Sequence, residues 1–224
     1  MTGALWTAVD HYIDGMLVPA DAALDAAIET SNAAGLPPIN VTPSQGKLLN
    51  ILARIQGARN ILEIGTLGGY STIWLARALP EGGRLITLES EPRHADIARK
   101  NISRAGLDRL VDLRVGKALE VLPQVAAEGR GAFDLTFIDA DKQNIPAYFG
   151  FALEMSRQGS VIIVDNVVRD GRVIDAFSRD PDILGIRRFN EVLAAEPRVS
   201  ATAIQTVGAK GHDGFAIVLV TGDT

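Results

Sequence analysis

The chain has no cysteine among its 224 residues. That excludes disulfides, thiolate zinc sites and cysteine nucleophiles together. It also lacks any apolar run near the ~18 residues that suggest a membrane span. Its start, MTGALWTAVDHYIDG, has no basic segment leading into an apolar core, so no signal peptide is expected. Surplus positive charge is missing too. Lys and Arg number 22 against 27 Asp and Glu, and the net charge of -5 weighs against a general nucleic-acid binder. No internal repeat, low-complexity tract or linker interrupts the chain. What is present is a composition of 47% hydrophobic and 22% charged residues, that of a globular protein large enough for a sizeable core. The expectation is one cytoplasmic domain over residues 1–224, with a helical cap over 1–58 and a sheet core over 59–224.

From residue 60 onward, short β-branched runs alternate with longer helical ones. NILEIG, RLITLE, VDLRVG, FDLTFID and SVIIVDN read as strands, with helices predicted near 70–79, 91–105, 117–127 and 143–157. Nearly continuous apolar strands of this kind are buried on both faces, as in a doubly wound, Rossmann-like α/β sheet. Beyond residue 171 the pattern predicts helices near 172–178 and 183–195. Two β-rich runs follow, SATAIQTV and FAIVLV, joined by the loop GAKGHDG, so the sheet is expected to end in an antiparallel pair. The stretch GLPPINVTP breaks the N-terminal helices at its prolines.

LEIGTLGGYST, residues 62–72, places glycines at the carboxyl end of the first strand, where open α/β sheets bind nucleotides. The dinucleotide pattern GxGxxG fails, because Leu67 and Tyr70 stand where its second and third glycines belong, and no GKS or GKT supplies a Walker loop. These features resemble the S-adenosylmethionine-dependent methyltransferases, whose sheet has seven strands, mostly parallel, with the last one reversed. Their cofactor has no pyrophosphate to cradle. Glu89 closes the second strand 24 residues after Gly65, where a carboxylate can accept bonds from both ribose hydroxyls. The alternative is a plain tight turn, with Glu89 serving a helix dipole.

FIDADK and VIIVDN end two successive strands in acid. Asp139, Asp165 and Asn166 form an oxygen set without His or Cys, suited to Mg²⁺, Mn²⁺ or Ca²⁺ and unsuited to zinc or copper. Taken singly, Asp139 could instead cap a helix, and Asp165 with Asn166 could make an Asx turn. Together the two stretches resemble the metal-dependent O-methyltransferases of the catechol and caffeoyl-CoA type, over about residues 38–220.

The resemblance implies that Asp139, Asp165 and Asn166 hold the metal and that Lys142 is the catalytic base. It implies cofactor contacts from Val41, Glu63, Gly65, Thr66, Ser71, Glu89 and Ala118, with Asp139 beside the reactive end. It further implies a small aromatic vicinal diol as acceptor and a homodimer. A lysine works as a base only where a cation and partial burial favour its neutral form. Asp141 is expected to serve the turn. Rival readings are methylation of a hydroxylated tRNA base, a cofactor-binding protein without catalysis, and a nicotinamide dehydrogenase, the last opposed by the broken GxGxxG.

Among weaker signals, Gly116-Lys117-Ala118 lacks the Asp usual in the family at the third strand's end. His212 reads as a solvated loop residue and His94 as surface, and His11 has no companion ligand. Trp6 and Tyr12 fit either an acceptor pocket or packing. Trp74 reads as core, and Asn190 as either a substrate contact or a surface amide.

Overall fold

The structure is a computed structural model that describes residues 3–222. Its helices are α1 (Gly3–Leu17), α2 (Ala22–Ala33), α3 (Pro43–Ile55), α4 (Tyr70–Ala76), α5 (Pro92–Arg104), α6 (Ala118–Ala127), α7 (Ile145–Glu154) and α8 (Pro181–Ala195). The strands are β1 (Asn60–Ile64), β2 (Arg84–Glu89), β3 (Val111–Val115), β4 (Leu135–Ile138), β5 (Val161–Asp165), β6 (Val199–Gly208) and β7 (Gly211–Val220). They follow the order β3-β2-β1-β4-β5-β7-β6, the mostly parallel α/β arrangement with a reversed strand near its end. No described helix is long and apolar enough to cross a membrane.

The chain divides into two compact units, one from His11 to Val121, the other the segment up to Asp10 together with everything from Leu122 onward. In the first unit, β1 pairs in parallel with β2 through Ile61↔Leu85, and β2 with β3 through Leu85↔Val111. Ile61, Leu62, Ile64, Leu85, Ile86 and Leu88 are all buried, so the core lies against this ladder. Thr42 starts α3 by accepting the N–H of Gln45 at 3.2 Å, with Pro43 as the first helical residue. Gly46 of the same helix lies under the indole of Trp74, and a Cβ there would sit 2.3 Å from Trp74 Cδ1. That contact explains the glycine in PSQGKLL and confirms Trp74 as core.

In the second unit, β4 pairs in parallel with β5, β5 antiparallel with β7, and β7 antiparallel with β6. Two local expectations change here. Over 172–178 only a short 3₁₀ turn forms, Arg172–Ile174, because the Asp175 carboxylate accepts the N–H of Phe177 and competes with helical bonding. The expected seven-residue loop GAKGHDG is mostly strand: pairing runs to Gly208↔Gly211, leaving a two-residue turn at Ala209-Lys210.

Candidate functional site

The glycine turn is built around Glu63, which is fully buried in β1. Its carboxylate accepts from Ser71 Oγ at 2.6 Å, from Thr87 Oγ1 at 2.7 Å and from Thr72 Oγ1. Thr66 joins this group through Thr87, hydroxyl to hydroxyl at 2.6 Å. The buried carboxylate thereby ties the turn to the first residues of α4 and to β2. Glu89, at the end of β2, accepts the N–H groups of Leu67 at 2.7 Å and Thr66 at 3.3 Å on one oxygen, and that of Glu91 at 3.0 Å on the other. Glu89 therefore orders the turn directly through backbone N–H groups. Gly65 and Gly69 have φ of 100° and 83°, and Leu67 has φ of 50°, so the glycines carry left-handed backbone that side chains resist.

The back of the turn is latched by a residue that pattern reasoning passed over. Asn101 of α5 is fully buried, and its amide donates to Gly68 O at 2.9 Å while its carbonyl accepts from Thr30 Oγ1 at 2.6 Å. Gly68 lies so close to Ser31 that a Cβ would meet its Oγ at 2.0 Å. Val41 and Ala118, also expected at the cofactor, are buried just before α3 and at the start of α6. His94 is placed differently from its surface reading: its Nδ1 lies 3.6 Å from Glu89 Oε1. The one available signal was its position in the first turns of the helix that follows Glu89.

The acidic rim belongs to the other unit. The β4–β5 register ends at Ile138↔Val164, and Asp139 and Asp165 are the residues that directly follow that last pair. Both therefore stand at the same end of two neighbouring parallel strands. Asp165 is buried, and its Oδ1 accepts the N–H of Asn166 at 2.9 Å, while Asn166 takes a left-handed φ of 60°. Lys142 is buried with its Nζ 2.8 Å from Asp139 Oδ1. Asp139 thus spends its carboxylate on this ion pair and not on a helix cap.

Two features fix that lysine. Asp141 accepts from Asn144 Nδ2 and from the hydroxyl of Tyr148, clamping the turn as expected. Burial, followed by the Asp141 carboxylate, raises the Tyr148 pKa, so its hydroxyl keeps its proton and continues to donate. The second feature was not legible in advance. Gly185 of α8 packs on the turn so tightly that a Cβ would lie 2.2 Å from the carbonyl oxygen of Lys142. A glycine inside a helical pattern carries no local sign of such a contact.

The rim suits a hard divalent cation by its chemistry: two carboxylates and an amide, with two ammonium groups balancing the acids. Among the described residues no group of three or more His, Cys, Asp or Glu forms a metal-holding cluster. Lys210 is the fourth charged member of the rim. Desolvation of its ammonium lowers its pKa, while the charges of Asp139 and Asp165 pull it upward.

Other candidates resolve simply. His212 belongs to β7, with Nε2 3.0 Å from Gln205 Oε1, and is not a free loop residue. Asn190, His11 and Tyr12 are exposed, and Trp6 is half-buried.

Residues 15–219 match the model of the O-methyltransferase family. A catechol O-methyltransferase from Niastella koreensis is 53% identical over 220 residues, covering 98% of this chain and 100% of that protein. The crystal structure of an O-methyltransferase from Bacillus cereus in complex with SAH is 59% identical, with a TM-score of 0.97 over 98% of this chain and 100% of that one. The O-methyltransferase TomG from Streptomyces achromogenes, involved in tomaymycin synthesis and solved with SAM, is 50% identical with a TM-score of 0.96, covering 99% and 100%.

Proposed function

This chain belongs to the O-methyltransferase family, and from that membership we propose that it methylates one hydroxyl of a catechol-like diol with the help of a divalent cation. It is an S-adenosylmethionine-dependent O-methyltransferase. The observation that carries the finer reading is the rim itself: Asp139 and Asp165 directly after the last β4–β5 pair, Asn166 next to Asp165, and a buried Lys142 2.8 Å from Asp139.

The reaction breaks a carbon–sulfur bond in the cofactor, forms a carbon–oxygen bond to the acceptor and releases the hydroxyl proton. Phenols have pKa values of about 10, and a divalent cation, when bound, would supply the charge that favours the ionised hydroxyl near neutrality. Asp139, Asp165 and Asn166 would hold that cation, with Mg²⁺ favoured over Mn²⁺ or Ca²⁺. Asp139, if turned to that cation, would no longer pair with Lys142, whose ammonium would then give up a proton to solvent so that the neutral amine could take the hydroxyl proton at Nζ. The Asp141–Tyr148 clamp and Gly185 keep Nζ on station. Held geometry of this kind supplies much of an enzyme's acceleration.

The protein is also read as a homodimer. Helix α1 has no buried residue and exposes Leu5, Val9, Tyr12, Met16 and Leu17, an apolar surface that a second copy would cover. Sedimentation should give a dimer that Tyr12→Glu with Leu17→Asp converts to monomer.

The decisive experiment mixes protein, S-adenosylmethionine, Mg²⁺ and caffeic acid. Methylated product should form, EDTA should abolish it, and Asp165→Ala should lose at least about 10³-fold in rate while remaining folded. Full activity in EDTA would remove the cation from the mechanism.

A further inference from the structure

The last hairpin ends in a charge that the methyl-transfer reading has not used. β6 and β7 stay paired to Gly208↔Gly211, so Lys210 occupies a two-residue turn. The turn is pinned on one side by Asp10, whose Oδ2 accepts the N–H of Ala209 at 2.7 Å. On its other side the start of β7 grips the segment that follows Asn166. Val167 N–H donates to Gly214 O at 3.0 Å, Val168 and Arg169 N–H to Asp213 Oδ1 at 3.1 and 2.9 Å, and Asp170 N–H to His212 O at 2.8 Å. The hairpin turn and the Asp165-Asn166 corner therefore form one braced structure. Lys210 is exposed as a residue, and its ammonium lies within electrostatic reach of Asp139 and Asp165.

Charge balance shows what this lysine can do. Asp139 and Asp165 contribute two negative charges and Lys142 and Lys210 two positive ones, so the rim is neutral by itself. A divalent cation on the carboxylates leaves two positive charges in excess. One ionised hydroxyl of a diol cancels only one of them. An acceptor that also carries a carboxylate or sulfonate cancels both, and the braced hairpin turn puts Lys210 at the edge of the rim to meet it.

We propose that Lys210 selects acceptors bearing an anionic substituent in addition to the diol, and that it neutralises Asp139 and Asp165 until the cation arrives. The proposal rests on reading the acidic rim as the acceptor site.

The test compares 3,4-dihydroxybenzoate with its methyl ester, which share the diol and differ in one charge. In the wild type kcat/KM should favour the acid by about tenfold, the scale of one charge-assisted contact. Lys210→Met should collapse that ratio to about one, Lys210→Glu should invert it, and Lys210→Arg should keep it. A readout independent of turnover is Mn²⁺ binding followed by electron paramagnetic resonance without acceptor. Loss of the competing ammonium in Lys210→Met should tighten it about three- to tenfold. An unchanged acid-to-ester ratio in Lys210→Met overturns the selection role, and unchanged Mn²⁺ affinity overturns the countercharge role. If the wild type methylates neither compound, the acceptor reading fails and the proposal falls with it. If it methylates both without preference, only the proposal falls.

Discussion

The glycine turn and the acidic rim both place carboxylates at strand ends, yet they treat them in opposite ways. Glu63 is sealed from solvent and surrounded by hydroxyl donors, and Glu89 is occupied by backbone N–H groups. These hydrogen-bond donors are neutral, with only the His94 ring 3.6 Å from Glu89 able to carry charge, and the carboxylates act as rivets for the backbone. At the rim, Asp139 is paired with the ammonium of Lys142, and the charges of Asp139 and Asp165 act on Lys210. Hydrogen-bonded acids inside a cage shape the protein before any ligand arrives. Acids set against charged side chains are balanced ion by ion. The difference separates a turn shaped by neutral hydrogen bonds from a rim balanced by charge.

That contrast can be broken at either end. The largest effect is expected at the rim: Lys142→Met should lower kcat by about 10²–10³-fold, the usual worth of a positioned base, with the melting temperature nearly unchanged. Steady-state kinetics with parallel calorimetry would check it, and a large loss of stability without a kcat effect would make Lys142 a rivet like Glu63. At the turn the balance should reverse. Glu63→Leu strands three hydroxyls in the core, and should cost about 3 kcal/mol, seen as a melting temperature lower by about 10 °C.

A finer cut comes from Asn101→Ala, which removes the latch behind Gly68 without touching a charge. KM for S-adenosylmethionine should rise about tenfold while kcat falls less than threefold, and a change confined to kcat would contradict the latch. The smallest effect serves as a control away from both regions. The Arg198 guanidinium bonded to Glu196 holds that carboxyl down to about 2, from an ordinary value of 4.5. A depressed pKa stabilises the fold above about 4.5, and the contribution is lost as pH falls toward 2. Because the pair lies near the surface, Glu196→Gln should lower the melting temperature by less than about 2 °C at pH 7 and by nothing at pH 2.

The strands and the main helices were legible because their patterns are local. Alternating apolar runs and turn residues marked β1 to β5 within a residue or two, and Asp139 with Lys142 could be paired because three residues separate them. The segment 172–178 was misread because a side-chain bond from Asp175 to Phe177 outweighed a helical pattern. The hairpin loop was misread because strand pairing continued through its Gly, His and Asp, residues with weak β preference that cross-strand bonds nonetheless held.

By itself, then, the amino-acid order determined the succession of elements, the absence of thiol chemistry and the supply of oxygen ligands at two strand ends. Only the tertiary structure decided how they are used. Asn101 reaches Thr30 across 71 positions of chain, Gly185 touches the backbone of Lys142, and Lys210 joins the field of Asp139 and Asp165. Local preference acts over a few residues, whereas these contacts depend on strand order and helix packing, which bring distant residues together once the core closes.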